Sequence, residues 1–345
     1  MPSLSRRIYA AAPAGALILL AWGLPAAAQS PEEFYKGNTL RVLIGHPPGG
    51  SYDLYARLAA DYMKKHVPGN PNMIVEHKPG GGGLVATAFF YAQAPRDGSM
   101  IGLFPETIAH TQLLEPKAGK WKVEEMAYIG SFASVNAAFV IRKDSPAKTV
   151  EEMKKTQINV GCTGVNAQSC QHPAMLKSLA GLKFNMITGY PGSAEFVLAL
   201  EKGEVDLVSS AWNNWRATHA DRFAKGDFIA VIQGGLRRNK ELANVPLMHE
   251  LVSDPKHKRV IQFANAGAAI GRALIAPPGV PADRLAALRA AFDKMVKDPE
   301  FLAAAERRKA EIDPTPGAEV QNDAVEIVKT PKELIDLASQ AMKGS

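Results

Sequence analysis

Only two cysteines, Cys162 and Cys170, occur in the 345 residues, and their number and spacing give no zinc-ribbon signal. The eight histidines, at positions 46, 66, 77, 110, 172, 219, 249 and 257, show no metal-ligand spacing. A GxSxG elbow and a Walker loop are both missing, which removes two recognisable enzyme signatures. The run PGGGGL at 79–84 has contiguous rather than spaced glycines and no acid at the usual downstream strand end, so it does not make a dinucleotide site. Lys and Arg are scattered among acids, and the longest basic clusters, such as residues 307–309, read as solvated helix faces. No nucleic-acid partner, cofactor, metal or catalytic residue is expected. Heptads, short-period repeats and low-complexity segments are absent as well.

A long apolar run is confined to the first 28 residues. Arg6 and Arg7 make a positive start, residues 10–24 are mostly apolar, and Ala26, Ala27 and Ala28 supply a small-residue cleavage pattern. Pro13, Pro25 and the short length make a membrane-spanning helix the poorer reading. Residues 1–28 are therefore expected to be a cleavable signal peptide. With Arg6 and Arg7 removed, the formal charge drops from +6 to +4, which favours a small anionic ligand only slightly. What remains exceeds a typical single core, so two lobes are expected.

The most informative stretch is LRVLIGHPPGGSYDLYARLAADYM at 40–63. Residues 40–44 have the branched composition of a buried strand, while Leu54, Leu58, Ala59 and Tyr62 recur at helical spacing. Between them Gly49 and Gly50 open backbone angles closed to other residues, and Ser51 or Asp53 is placed to cap the helix. A strand, a glycine turn and a helix start aim free N–H groups at one point, which suits an anion. Strands at 40–45, 73–77 and 100–104, with helices near 52–66 and 84–94, form a βαβαβ unit whose site lies at the strand C-terminal ends. Two more extended runs, 128–134 and 137–142, precede a capping box at Thr149 and Glu152. A second set follows, with strands near 158–161, 184–188 and 205–209 and helices near 173–180 and 193–202. The run 228–233 is expected to carry the chain back to the first lobe. After a strand at 273–276, Asp283 caps a helix with an apolar stripe of Leu285, Leu288, Phe292 and Met295, and Asp298 with Pro299 starts the next.

The string PGG, two residues, then Asp53 with Ala56 and Arg57 resembles the solute-binding proteins of tripartite tricarboxylate transporters, the TctC or Bug family. The resemblance continues through NMIVEHKPGGGG at 72–83, APRDGSMI at 94–101, GYPGS at 189–193, ALEKGEVD at 199–206, NVP at 244–246 and APPGVPADRLAAL at 276–288. It covers nearly the whole chain after residue 36. It implies an α/β chain with a two-lobed type II periplasmic binding-protein fold and a ligand cleft between the lobes. The expected division is lobe 1 at 37–138, lobe 2 at 139–232, and a return to lobe 1 with C-terminal helices at 233–345.

In that family a ligand carboxylate is held largely by backbone N–H groups and small polar side chains from both lobes. The matching first-lobe positions are Pro48, Gly49, Gly50, Ser51, Tyr52 and Asp53, with the Asp53 side chain expected to cap or close the loop. The second-lobe loop supplies Thr163, Gly164, Asn166, Ala167, Gln168 and Ser169, although Ser169 also reads as a plain helix cap. Related chains usually have Gly-Ser where this one has Asn166-Ala167. A third group is Tyr190, Gly192 and Ser193, with Asp206 matching the family's acid. Trp212 and Trp215 either wall the ligand or pack in the core. Cys162 and Cys170 either form a disulfide, as an oxidising periplasm allows, or remain two separate thiols.

The resemblance implies a periplasmic, monomeric, non-enzymatic receptor that hands a small carboxylate to membrane subunits of the TctA and TctB kind. The same fold serving as a ligand sensor for a membrane signalling protein is the alternative, with an exported enzyme as a third reading.

Overall fold

The computed structural model describes residues 29–164 and 167–342; the expected signal peptide lies outside them. In β1 (Thr39–Ile44), Leu40, Val42 and Ile44 enter one core and Leu43 the opposite one, as the two-residue strand period requires. β1 pairs in parallel with β2 (Asn72–His77) and β3 (Met100–Leu103). After β4 (Ala127–Ser131), the chain leaves this sheet.

β5 (Ala137–Arg142), β6 (Ile158–Gly161), β7 (Phe184–Ile187), β8 (Leu207–Ala211) and β9 (Phe228–Gly234) form a separate sheet in the order β7-β6-β8-β5-β9. Here β6 is parallel to β7 and β8, while β5 is antiparallel to β8 and β9. The chain then returns: β10 (Ala273–Ala276) inserts antiparallel between β3 and β4, and β11 (Thr315–Pro316) pairs with β4. The completed first sheet has the order β11-β4-β10-β3-β1-β2. Two sheets joined by two passages of chain make two lobes.

Helices cover both faces of the first sheet. Helices Ser51–Tyr62, Ala282–Met295 and Pro299–Arg307 bury Tyr55, Leu58, Leu288, Phe292, Met295 and Phe301 on one face. Helices Leu84–Gln93, Gly317–Val328 and Lys332–Met342 bury Phe90, Val320 and Leu334 on the other. In the second sheet Phe139 and Ile141 alternate with Ala138 and Val140 between two further clusters.

Three local expectations need correction. The run 228–233 is the edge strand β9, bonded to β5; an apolar extended run reads the same whether it crosses between lobes or borders one of them. The return instead uses residues 235–272, which carry helix Pro255–Asn265 rather than a strand. The helix expected near 173–180 begins at Gln168, with Pro173 inside it; the N–H that proline lacks would have met the Ser169 carbonyl, a loss tolerable this close to the helix start. Asp283 is the second residue of its helix and the cap position is Pro281, with no side-chain cap. By contrast Thr149 and Glu152 form a reciprocal capping box, and Asp298 accepts the Glu300 N–H ahead of Pro299.

Gly130 leaves room for Phe292, whose ring would lie 2.3 Å from a Cβ at that glycine. Phe292 is fully buried and meets Phe132 edge-on at 5.2 Å. Phe292→Ala is expected to lower the unfolding free energy of the first lobe by about 3–5 kcal/mol in urea titrations.

Candidate ligand-binding site

Parallel strands end on one edge of their sheet, so the helices that follow them start there. Helices Ser51–Tyr62, Leu84–Gln93 and Ile108–Leu114 follow β1, β2 and β3; Gln168–Ala180, Ser193–Lys202 and Trp212–Ala224 follow β6, β7 and β8. Their cap positions are Gly50, Gly83, Thr107, Ala167, Gly192 and Ala211, and no side chain caps any of the six. Elsewhere Ser30, Thr149, Asp254 and Asp298 cap their helices, whereas the helices starting at Gly267, Ala282 and Gly317 have no side-chain cap either. An uncapped start leaves first-turn N–H groups and the positive end of the helix dipole to an anion where no other carbonyl takes them. At three of the six one does, since Leu84 and Val85 donate to Gly81 O and Gly80 O, Ile108 to Pro105 O and Trp212 to Asn136 O.

In the first-lobe loop, Gly49 has a φ of 92°, a conformation that favours glycine. Its N–H donates to Asp53 Oδ2 at 3.0 Å, and Arg57 Nε donates to the same oxygen at 2.9 Å. His77 Nε2 meets Asp53 Oδ1 at 2.7 Å. Burial raises the Asp53 pKa, but the bonds from Arg57, Gly49 and His77 outweigh it and hold the carboxyl below its ordinary value. Asp53 thus closes the loop from behind. The first backbone bond of the helix runs from Leu54 N–H to Gly50 O, so the amides of Ser51, Tyr52 and Asp53 precede it.

The side chains of Ser51 and Tyr52 turn into the lobe. Arg272 Nε donates to Ser51 Oγ at 3.1 Å, while Tyr52 OH and an Arg272 terminal nitrogen both donate to Glu106 Oε2 at 2.8 Å. Arg272 and Glu106 form a buried ion pair. His46 stacks on Tyr52 at 4.1 Å; burial, then the nearby Arg272 charge, pushes its pKa down to about 4 against the opposing pull of Glu106. The imidazole is therefore neutral at ordinary pH.

In the second lobe Cys162 and Cys170 are disulfide-bonded with their Cα atoms 5.2 Å apart. Within that ring the Thr163 N–H donates to Ser169 Oγ at 3.3 Å, and the two hydroxyls lie 3.1 Å apart. The Ala167 N–H donates to Gly164 O at 2.8 Å. Both Cys170 and Gln171 donate to Ala167 O, which leaves the Gln168 and Ser169 amides ahead of the first helical bonds. Asn166 lies outside the described residues. Where the lobes meet, Asn213 Nδ2 donates to Tyr55 OH at 3.4 Å, and next to it the Trp212 N–H extends the β5–β8 pairing to Asn136 O at 2.8 Å.

Residues 55–335 match the family described as "Tripartite tricarboxylate transporter family receptor". The chain belongs to this family. A UPF0065 protein of Bordetella pertussis is 27% identical to it over 285 residues, 81% of this chain and 83% of that protein. Two solved structures from Rhodopseudomonas palustris share the fold. MatC with bound malate is 21% identical, with a TM-score of 0.66 over 88% of this receptor and 99% of that chain. Rpa4515 with adipate is 16% identical, with a TM-score of 0.67 over 87% and 97%. The receptor has their two-lobed periplasmic binding-protein fold.

Of the residues expected at the site, 48–53 lie after β1; Thr163, Gly164, Ala167, Gln168 and Ser169 after β6; Tyr190, Gly192 and Ser193 after β7. Two do not offer their side chains at these edges. Asp206 precedes β8, which starts at Leu207; its N–H donates to Asn159 O and its carboxylate accepts the Asn159 N–H, both at 2.8 Å. That acid ties β6 to β8 at the far end of the strand. Trp212 is 8% exposed in a core cluster, donates from Nε1 to Glu241 at 2.7 Å and meets Phe223 edge-on. Trp215 is fully buried in the same cluster. His46, Glu106 and Arg272 escape a reading of the sequence; Arg272 directly precedes an apolar strand, and its place beside Ser51 follows only once β10 is known to run antiparallel. Among the described residues no group of three or more His, Cys, Asp or Glu is placed to hold a metal, and no helix is long and apolar enough to cross a membrane.

Replacing both Cys162 and Cys170 with Ser is expected to cost the second lobe about 2–3 kcal/mol, since the closed loop is short; urea titration with and without reductant measures it. His172 is buried, and burial pushes its pKa down to about 4 despite its bond to the Ala264 carbonyl, as it does for the half-buried His46. Both imidazoles take up a proton in the unfolded chain below their ordinary 6.5 but in the folded receptor only near 4. Their contribution to stability is complete above pH 6.5 and is lost as pH falls towards 4. Thermal midpoints recorded across that window are expected to drop with acid; a flat profile contradicts the assignment.

Proposed function

We propose that this receptor is an exported, periplasmic solute-binding protein that captures an organic carboxylate between its lobes and delivers it to membrane subunits of the TctA and TctB kind. It acts as a monomer and performs no chemistry on the solute. The observation that carries this reading is the set of uncapped helix starts at Ser51, Gln168 and Ser193, at the strand ends of both sheets, whose first backbone bonds begin only at Leu54, Cys170 and Phe196. Such groups bind a carboxylate without needing a free cation, and closing two lobes over it excludes water and strengthens every hydrogen bond. The malate and adipate in two structures of the same fold support a carboxylate as the solute.

In this reading the backbone amides of Gly50, Ser51 and Tyr52 fix one carboxylate group, while Gly49, whose N–H is held by Asp53, shapes the turn. Thr163, Gly164, Gln168, Ser169, Tyr190 and Ser193, with Asn166, choose what is attached to it. Pro48 and Asp53 shape the loop, and the Cys162–Cys170 bond stiffens its partner. Asp206 and Trp212 support the second lobe rather than the solute.

Native mass spectrometry of the purified receptor, then calorimetry against mono-, di- and tricarboxylates after removal of any co-purified ligand, tests the proposal. A panel without heat or thermal shift defeats it. Gly50 has a φ of −92° and a Cβ there would meet nothing within 4 Å, so Gly50→Val is expected to fold normally. It should weaken carboxylate binding about tenfold, because its branched side chain stands over the amides. Unchanged affinity would make the loop a mere connection.

A further inference from the structure

Arg272 stands directly behind the amides proposed to hold the solute. Its backbone N–H donates to Ala133 O at 3.1 Å, where the chain first leaves the lobe. Its guanidinium reaches Ser51 Oγ at 3.1 Å, Tyr52 OH at 3.4 Å and Glu106 Oε2 at 2.8 Å, and lies 4.3 Å from the centre of the Tyr52 ring. The two charged side chains are 4% and 6% exposed. Tyr52 OH donates to the same Glu106 oxygen at 2.8 Å, so the carboxylate is held from two sides.

An arginine there without a counter-charge would itself attract anions, and its pull would grow with the total charge of the solute. Paired with Glu106 it presents only a short dipole, whose field fades faster with distance. Burying such a pair is costly in desolvation and is weak evidence for stability. Its position against the loop suggests a different use.

We propose that Glu106 is a specificity-determining residue: by neutralising Arg272 it makes the first-lobe loop recognise one carboxylate group through backbone amides, without regard to the rest of the solute's charge. Arg272 then serves as a positioning residue that anchors Ser51 and Tyr52 to the strand returning from the second lobe. The inference rests on the carboxylate-receptor reading above.

The test is calorimetry at about pH 7 with malate, adipate and the monoamide of each, so that each pair differs by one charge. The readout is the affinity ratio of dicarboxylate to monoamide, which a merely loosened loop does not change. Glu106→Gln exposes the arginine charge and is expected to raise that ratio on the order of tenfold, with the rise shrinking in added salt. The double variant Glu106→Met with Arg272→Met removes both charges and is expected to keep the wild-type ratio within about threefold. An unmoved ratio in folded Glu106→Gln overturns the proposal. If that variant does not fold, the double variant decides: a fall in the ratio of about tenfold or more shows that Arg272 reads charge in the native protein, and overturns it too. Binding with an unmoved ratio defeats this inference alone, whereas a wild-type receptor that binds none of the four compounds defeats the carboxylate reading and this with it.

Discussion

A parallel strand can be followed only by a chain that turns back along the sheet, so every strand–helix unit delivers its helix start to the same edge. The rest of the receptor depends on that directional constraint. β1 to β3 do this in one lobe and β6 to β8 in the other, which gathers six helix starts at two sheet edges. The cost is six helix starts lacking the usual Ser, Thr, Asn or Asp side-chain cap bond, each normally worth about 1 kcal/mol. Side chains near the edge are instead engaged with one another. Asp53 binds its own loop, Ser169 binds Thr163, and Ser51 and Tyr52 bind the buried ion pair.

Much of this is legible in the sequence because it is local. The period of residues 40–63 identifies strand, turn and helix; the glycines identify the turn; Asp53 sits four residues from the amide it accepts. The second-lobe loop falls between its strand and helix for the same reason, although the helix starts earlier than its proline suggests. What sequence reasoning misses is non-local. Glu106 and Arg272 are 166 positions apart, and neither carries a pattern that names the other. Asp206 is misjudged through the position of one strand: β8 begins after it, so the acid falls at the end opposite the helix starts, while Trp212, which reads as either wall or core, packs into the core.

The disulfide and the ion pair solve the same mechanical problem by different means. A glycine-rich loop that offers backbone to a ligand has few side chains to hold its shape, and its conformational freedom must be removed before binding if affinity is not to be lost in ordering it. In the second lobe a covalent bond from Cys162 to Cys170 encloses the loop. In the first, Asp53 and Arg272 grip it from two directions. The neutral His46 stacked on Tyr52 adds bulk without a competing charge.

Among the described residues β4 is bonded only to β10 and β11, and β10 alone joins it to β3. The second sheet comes from one uninterrupted stretch between Ala137 and Gly234, whereas the first holds a gap until residues 273–276 arrive. Until then β1 to β3 form a three-stranded fragment with an open edge, and β4 has no neighbour at all. The lobe that begins first along the chain is therefore finished last, and the strand that completes it follows directly on Arg272.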